Sequence, residues 1–412
     1  MYRKMIWLLL VFSAFSATAQ TDTVLVITNG QLIDGTGAEP IENGTVVIEN
    51  ERIIAVGASD EIAIPEEATL IDADGGTILP GIINAHTHRA RDLRIRYTNF
   101  TQRGVTTICD MASPINALED LAQTTLPDGT LGGRAGRSGP FITVEGGYPG
   151  PVFSNDLNYT LEEAGSPADA VATLRDAGAT YIKVGIEPAF DNLPLLTDEQ
   201  LQAIVSAAHE NDMLVQAHVQ NADYLEMALD ADIDVLHHVP VPATAIASLA
   251  ANRDVMLSDA FTEQLERAIA MGVILVPTLD VFVPADDVDV NQLQRWYGEL
   301  AVIVTSEYIA LGGQVALGND FGNPGVQSGI PIREMQLLQD AGLMPMDVLV
   351  ASTSHSAQVC DMAEDVGTLE VGKFADIIIV NGNPLDDLSV MNDLAFIIAN
   401  GSEVPINRRG SR

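Results

Sequence analysis

Residues 180–186 read TYIKVGI, residues 198–212 DEQLQAIVSAAHEND and residues 214–220 LVQAHVQ. The outer two are short and apolar at alternate positions, as strands are. The middle one is longer and carries the apolar spacing of a helix. A strand, a helix and a second strand at this spacing form a crossover unit, which makes the two strands parallel neighbours. Alternation also assigns faces. Ile182, Val184 and Ile186 fall on the side that helices cover, and Tyr181, Lys183 and Gly185 on the other. In the second strand Val215, Ala217 and Val219 form the apolar face and His218 points the opposite way. A lysine therefore sits inside a buried strand, in a chain with only three lysines.

The same alternation extends outward. GVTTICDM (104–111), PFITVEGG (140–147), IDVLHHV (233–239), GVILVPTL (272–279) and QVALGND (314–320) are further short apolar runs separated by helical stretches. With the strand-like TILPGII (77–83) these make eight such strands, which predict an α/β fold, a (β/α)8 TIM barrel spanning 81–364. The ends differ. VLVITNG, TVVIEN, RIIAVG and TLIDADGG before residue 80, and ADIIIVNG and LAFIIANG after 365, are β-branched runs punctuated by Gly and Asn-Gly. Segments 20–80 and 365–412 are expected to form one small discontinuous β-sandwich domain. Residues 1–19 combine Arg3 and Lys4, the apolar run IWLLLVFSAF and the small-residue site Ala17-Thr18-Ala19, which reads as a signal peptide. The expected mature protein is exported, periplasmic or secreted, and has no membrane attachment once the leader is gone.

Composition narrows the function classes. With 47% hydrophobic residues the chain is an ordinary globular protein, and its formal net charge of −37 excludes nucleic acid as a partner. The acidity suits a solvated coat in salty surroundings or the steering of cationic substrates. Two cysteines, Cys109 and Cys360, do not make a disulfide framework, and the expectation is two buried thiols.

The histidines carry the chemistry. His86 and His88 lie in INAHTHRA after the strand-like TILPGII, and a His-x-His pair on a strand directs both rings to one face, where they can chelate a metal ion. His218 faces inward as above. Of the adjacent His237 and His238, alternation allows one inward. With His238 inward, Val235, His237 and Val239 are left for the helices, which packs better than the alternative. His209 and His355 read as ordinary polar residues. Asp320 ends VALGND, at the carboxyl end of a strand, where active sites of such barrels are built.

With these residues in place the chain resembles the amidohydrolase superfamily, in its imidazolonepropionase-like and Xaa-Pro dipeptidase-like branch. The resemblance runs through TILPGIINAHTH (77–88), the GVTT strand, VGTLEVGKFADIIIVNGNP (366–384) and ANGSEV (399–404). It implies two divalent metal ions, usually Zn2+. His86, His88 and Asp320 would hold one and His218 and His238 the other. Lys183 would bridge them as a carbamate formed with CO2. That gives the buried lysine a purpose, because an ammonium beside metal ions is costly, whereas a carbamate is an anionic ligand. FITVEGGYPG also resembles this branch and places Tyr148 as a pocket-lining candidate. GIEPAF (185–190) departs from the Gly-Gly pair common after the strand-four lysine, so substrate specificity does not carry over.

The implied reaction is hydrolysis of a C–N amide bond in a dipeptide, N-acyl amino acid or cyclic amide. A metal-activated hydroxide attacks, and Asp320 serves as general base and then acid. A mononuclear imidazolonepropionase- or deaminase-like hydrolase, which needs no bridging lysine, is one alternative. A catalytically silent exported binding protein on the same barrel is the other. The expected partner is a small-molecule amide substrate, and self-association into a homo-oligomer stays open.

Overall fold

Thr197 explains where the helix of the opening segment begins. Its hydroxyl accepts the Gln200 backbone N–H (3.2 Å), while the Gln200 side chain accepts the Thr197 N–H (2.9 Å). This reciprocal cap satisfies two donors that the first turn would otherwise leave open. The helix runs Asp198–His209 and buries Leu201, Ile204, Val205 and Ala208. Each of the larger three contributes roughly 1.5–3 kcal/mol on burial. In this computed structural model the described residues are 24–88, 100–122, 133–188, 192–251, 253–285 and 288–407. The expected leader, 1–19, lies outside them. No helix among the described residues is long and apolar enough to cross a membrane.

Seventeen strands are formed among these residues. The N-terminal five are β1 (Val24–Leu32), β2 (Ile41–Glu49), β3 (Arg52–Ala58), β4 (Thr69–Asp72) and β5 (Thr77–Pro80). The central nine begin with β6 (Ile82–Thr87), β7 (Val105–Asp110), β8 (Arg134–Arg137), β9 (Phe141–Thr143) and β10 (Asn158–Thr160). They continue with β11 (Ile182–Gly185), β12 (Val215–His218), β13 (Val235–His237) and β14 (Ile274–Val276). The chain closes with β15 (Ile377–Val380), β16 (Leu394–Ala399) and β17 (Ser402–Glu403).

Strands from both ends join in one eight-stranded sheet, ordered β17-β16-β15-β5-β1-β2-β3 with β4 also on β1. Residues from both ends of the chain thus share one sheet. Its hydrogen bonding runs through one sheet, in which β1 pairs along different parts of its length with β4 and with β5. Ile27, Val46, Ile48, Ile53, Ile78, Ile377, Ile379 and Ile398 form its own apolar core. Phe374 is held between the guanidinium groups of Arg52 and Arg134, each 3.4 Å from the ring centre.

The central strands are parallel throughout, in sets β6-β7-β8 and β10-β9-β11-β12-β13-β14. Backbone hydrogen bonds connect the sets at two places. Thr180 N–H donates to Arg137 O (2.7 Å), beside β8. On the far side the segment 314–321 lies between β14 and β6. Ala316 N–H donates to Leu275 O (2.9 Å) and Ala85 N–H to Leu317 O (2.7 Å). Side chains sort by strand parity. Ile182, Val184, Ile186, Val215, Ala217 and Val219 pack with the helices, as expected. Tyr181, Val235, Ile274 and Val276 form a separate inner cluster with Ile83, Ala85, Cys109 and Cys360.

The two cysteines correct the sequence expectation of free thiols. Cys109 and Cys360 are joined as a disulfide, with their Cα atoms 5.3 Å apart. They are 251 residues apart in sequence, so only the packing of the chain after residue 356 beneath β7 brings them into bonding range.

Candidate metal centre

The strand ends gather the predicted residues at one place. His86 and His88 project together from the end of β6, with their Nε2 atoms 3.1 Å apart. Asp320 Oδ1 lies 3.4 Å from His86 Nε2 and 3.2 Å from His88 Nε2. Ligand atoms of His86, His238 and Asp320 also fall within 4.8 Å of one another. His218 stacks edge-on to His238, ring centres 4.4 Å apart. Gly318 lets segment 314–321 come this close, since a Cβ there would meet His86 Cβ and Val276 Cγ1 at 2.7 Å.

Lys183 projects from β11 to the inner side, opposite Gln216 of β12. It is fully buried, and its Nζ has no hydrogen-bond partner among the described residues. Burial holds its pKa well below the ordinary lysine value, against the pull of the Asp320 carboxylate. His86, His218, His237 and His238 are likewise held well below the usual imidazole value. Burial is the main cause, and the neighbouring Lys183 and imidazoles add to it. Buried imidazoles held neutral present lone pairs, the form a metal requires. Asp320 Oδ1 is buried near both His86 and His88 yet lacks hydrogen-bond geometry to any described residue. An orphaned carboxylate oxygen, an orphaned amine and neutral imidazoles, all converging, fit a divalent cation site of mixed N and O donors.

The adjacent histidines behave differently from the expectation. His238 does reach the cluster, but the strand register beneath it is the reverse of that assigned above. Val235 joins the inner cluster and Leu236 the helix-packed one, so His237 also points inward. His238 then adopts φ 68°, in the left-handed region, and this breaks the alternation. Both rings consequently face the same side. His237 Nδ1 lies 2.8 Å from His86 Nδ1, and its Nε2 lies 2.6 Å from Gln216 Oε1. Asp320 (φ 54°) and Thr278 (φ 51°) are turned in the same way at neighbouring strand ends. The Thr278 hydroxyl lies 2.8 Å from His238 Nδ1.

Tyr148 stands where a pocket wall would be, its ring 4.5 Å from that of His218. Burial, then the carboxylates of Asp320 and Glu187, push its phenol pKa up, so it stays a hydrogen-bond donor. Gly185 makes room for it, since a Cβ there would come within 2.9 Å of the Tyr148 ring. Phe282 packs perpendicular to His238 at 5.4 Å and meets Tyr297 at 5.0 Å. The turn carrying Phe282 is braced from below. The buried Glu334 carboxylate accepts the N–H groups of Leu279 (2.9 Å) and Asp280 (2.6 Å), and Arg333 bonds Asp280 Oδ1 (2.6 Å). His209 and His355 remain outside the centre, on Asp234 (3.0 Å) and the Val315 carbonyl (2.9 Å).

Sequence reading missed Gln216, Thr278, Phe282, Tyr297 and Glu334. Only Gln216 had a signal, as a polar residue sharing the inward parity of His218.

The family model described as "Amidohydrolase family" matches residues 77–404. The imidazolonepropionase of Geobacillus kaustophilus is 27% identical over 379 residues, covering 83% of this chain and 84% of that protein. That of Brevibacillus brevis is 25% identical, covering 88% and 90%. Among solved structures, a putative prolidase from Bifidobacterium longum superposes with TM-score 0.76 at 27% identity, covering 94% of this chain and 96% of that one. A Xaa-Pro dipeptidase with bound methionine in its active site gives TM-score 0.73 at 22% identity, covering 92% and 99%, and shows the shared fold. The chain belongs to the amidohydrolase family, hydrolases that act on carbon–nitrogen bonds.

Proposed function

We infer that this chain hydrolyses the C–N amide bond of a small substrate, a dipeptide, N-acyl amino acid or cyclic amide, at a two-metal centre. The observation that carries the reading is Lys183, a fully buried amine without a hydrogen-bond partner among the described residues, amid neutral imidazoles and Asp320. The parallel strands and the hydrogen bonds of segment 314–321 to β14 and β6 support a closed (β/α)8 barrel for 81–364, with the centre at its carboxyl-end mouth. Segments 20–80 and 365–412 would form the accompanying small domain.

In this reading His86, His88 and Asp320 would hold one divalent ion and His218 and His238 the other, with Lys183, as a carbamate, a ligand they would share. Such ions, Zn2+ in this proposal, supply Lewis-acid polarisation of the scissile carbonyl and acidify a water towards neutral pH. Lys183 contributes a neutral amine. Its nitrogen bonds to CO2 and releases a proton to solvent, leaving a carbamate whose negative charge suits the site. Asp320 accepts the proton of the attacking water and delivers it to the departing amine nitrogen. Tyr148, beside His218, orients the substrate.

A mononuclear, imidazolonepropionase-like reading has its own support in the His86–His238–Asp320 convergence and in the curated relatives. Elemental analysis of fully active protein, beside a screen of dipeptide and N-acyl amino acid libraries, separates the two. About two ions per chain and amide turnover are expected. One ion per fully active chain assigns the mononuclear chemistry. Export through the 1–19 leader is also proposed, and N-terminal sequencing of the mature protein tests it.

A further inference from the structure

We propose that Gln216 and His237 are positioning residues that set the tautomer of His86, through a hydrogen-bond relay starting at the Val359 carbonyl. Each step is fixed by what its atoms can do. A carbonyl oxygen only accepts, so the Gln216 group 2.6 Å from Val359 O is its amide Nε2, and Oε1 turns to His237. That oxygen also only accepts, so His237 Nε2, 2.6 Å away, carries the ring's hydrogen. A neutral imidazole has one N–H, which leaves His237 Nδ1 as an acceptor. The atom facing it at 2.8 Å is His86 Nδ1, which must donate. His86 Nε2 is then the lone-pair nitrogen, and this is the atom that faces His88 Nε2 at 3.1 Å and Asp320 Oδ1 at 3.4 Å.

Gln216, His237 and His86 are all fully buried, so water does not compete for these bonds. The relay starts one residue before Cys360, whose bond to Cys109 of β7 anchors that stretch of chain. A histidine that binds metal through one ring nitrogen is commonly oriented by a partner on the other. Here the partner is a second histidine, held in its own tautomer by an amide. This gives the paired histidines of LHHV separate tasks: His238 faces the centre and His237 directs His86.

The inference rests on the proposed metal role of His86, and the test separates the two. In metal-free protein labelled with 15N-histidine, assigned with His86→Gln, His86 is expected to show a protonated Nδ1 and an unprotonated Nε2. Gln216→Leu should mix the tautomers and weaken Zn2+ binding, measured by chelator competition, by about 10–100-fold. Gln216→Glu should restore both, because a protonated Glu can donate to Val359 and accept from His237. A wild-type His86 protonated on Nε2 overturns the relay, even if Gln216→Leu fails to fold. So does Gln216→Leu with unchanged tautomer and affinity. The expected wild-type tautomer without Zn2+ binding would support the relay and count against the metal reading.

Discussion

Lys183 and Lys373 compare two regions of this molecule. Lys373 lies where the terminal sheet meets the central strands. Its ammonium donates to the Ala363 carbonyl (2.7 Å) and pairs with Glu370 (3.2 Å). Lys183 lies at the strand ends of the central sheet, more deeply buried, and has no such bond among the described residues. One region matches its polar groups and is thereby stable. The other leaves an amine and a carboxylate oxygen open. An unpaired buried ammonium costs several kcal/mol, so the amine is held neutral there.

The comparison breaks most directly at Lys183 itself. Lys183→Ala should reduce turnover to background and lower metal content, with partial recovery on adding a short-chain carboxylic acid. Lys373→Ala should leave turnover per folded molecule unchanged. Measuring kcat with metal stoichiometry for both variants decides it, and an active Lys183→Ala enzyme would remove the lysine from the chemistry.

Asp320→Asn asks whether the open carboxylate moves protons or merely binds. Asn keeps the shape and one ligand oxygen but accepts no proton. The variant should retain most of its metal while kcat on amides falls by roughly 10²–10⁴-fold, the range for lost general acid–base catalysis. Activated esters, whose leaving groups need no proton, should suffer less.

Glu334 sharpens the contrast through pH. Burial outweighs its two backbone donors and pushes its carboxyl from the ordinary 4.5 up to about 8. The folded chain therefore binds this proton more tightly than the unfolded chain does. The associated stability is fully present below about pH 4.5 and is lost as pH rises through about 8, on the order of a few kcal/mol in total. Glu334→Gln should flatten this part of the stability–pH curve, followed by thermal unfolding across that window. An unaltered slope would mean that Glu334 stays ionised.

The smallest effect is expected at Lys373. Lys373→Met leaves the Ala363 carbonyl without its donor and should cost about 1–2 kcal/mol in denaturant unfolding. A larger loss accompanied by lost activity would mean that the junction and the strand ends are coupled.

Much of this arrangement was legible in local pattern. Period-two alternation placed Lys183, Gly185 and His218 on the inner face and their apolar neighbours on the helices, because both signals lie within a few residues of each other. The His-x-His pair and the terminal aspartate were readable for the same reason. IDVLHHV was not, since alternation presumes extended backbone and His238 leaves it at φ 68°. The neighbours that make this turn tolerable, such as Thr278, come from another strand end.

The strand–helix order, the inner faces of β11 and β12, and the identity of most of the converging groups could thus be read from the residues alone. Only the folded chain reveals the Cys109–Cys360 bond, the left-handed turn at His238 that brings its ring to the same side as His237, and the bracing of the 278–283 turn by Glu334. The physical reason is range. Strand parity is a property of adjacent peptide units. A disulfide over 251 residues, a left-handed φ held by a neighbouring strand and a buried carboxylate's partners depend on which distant segments pack together.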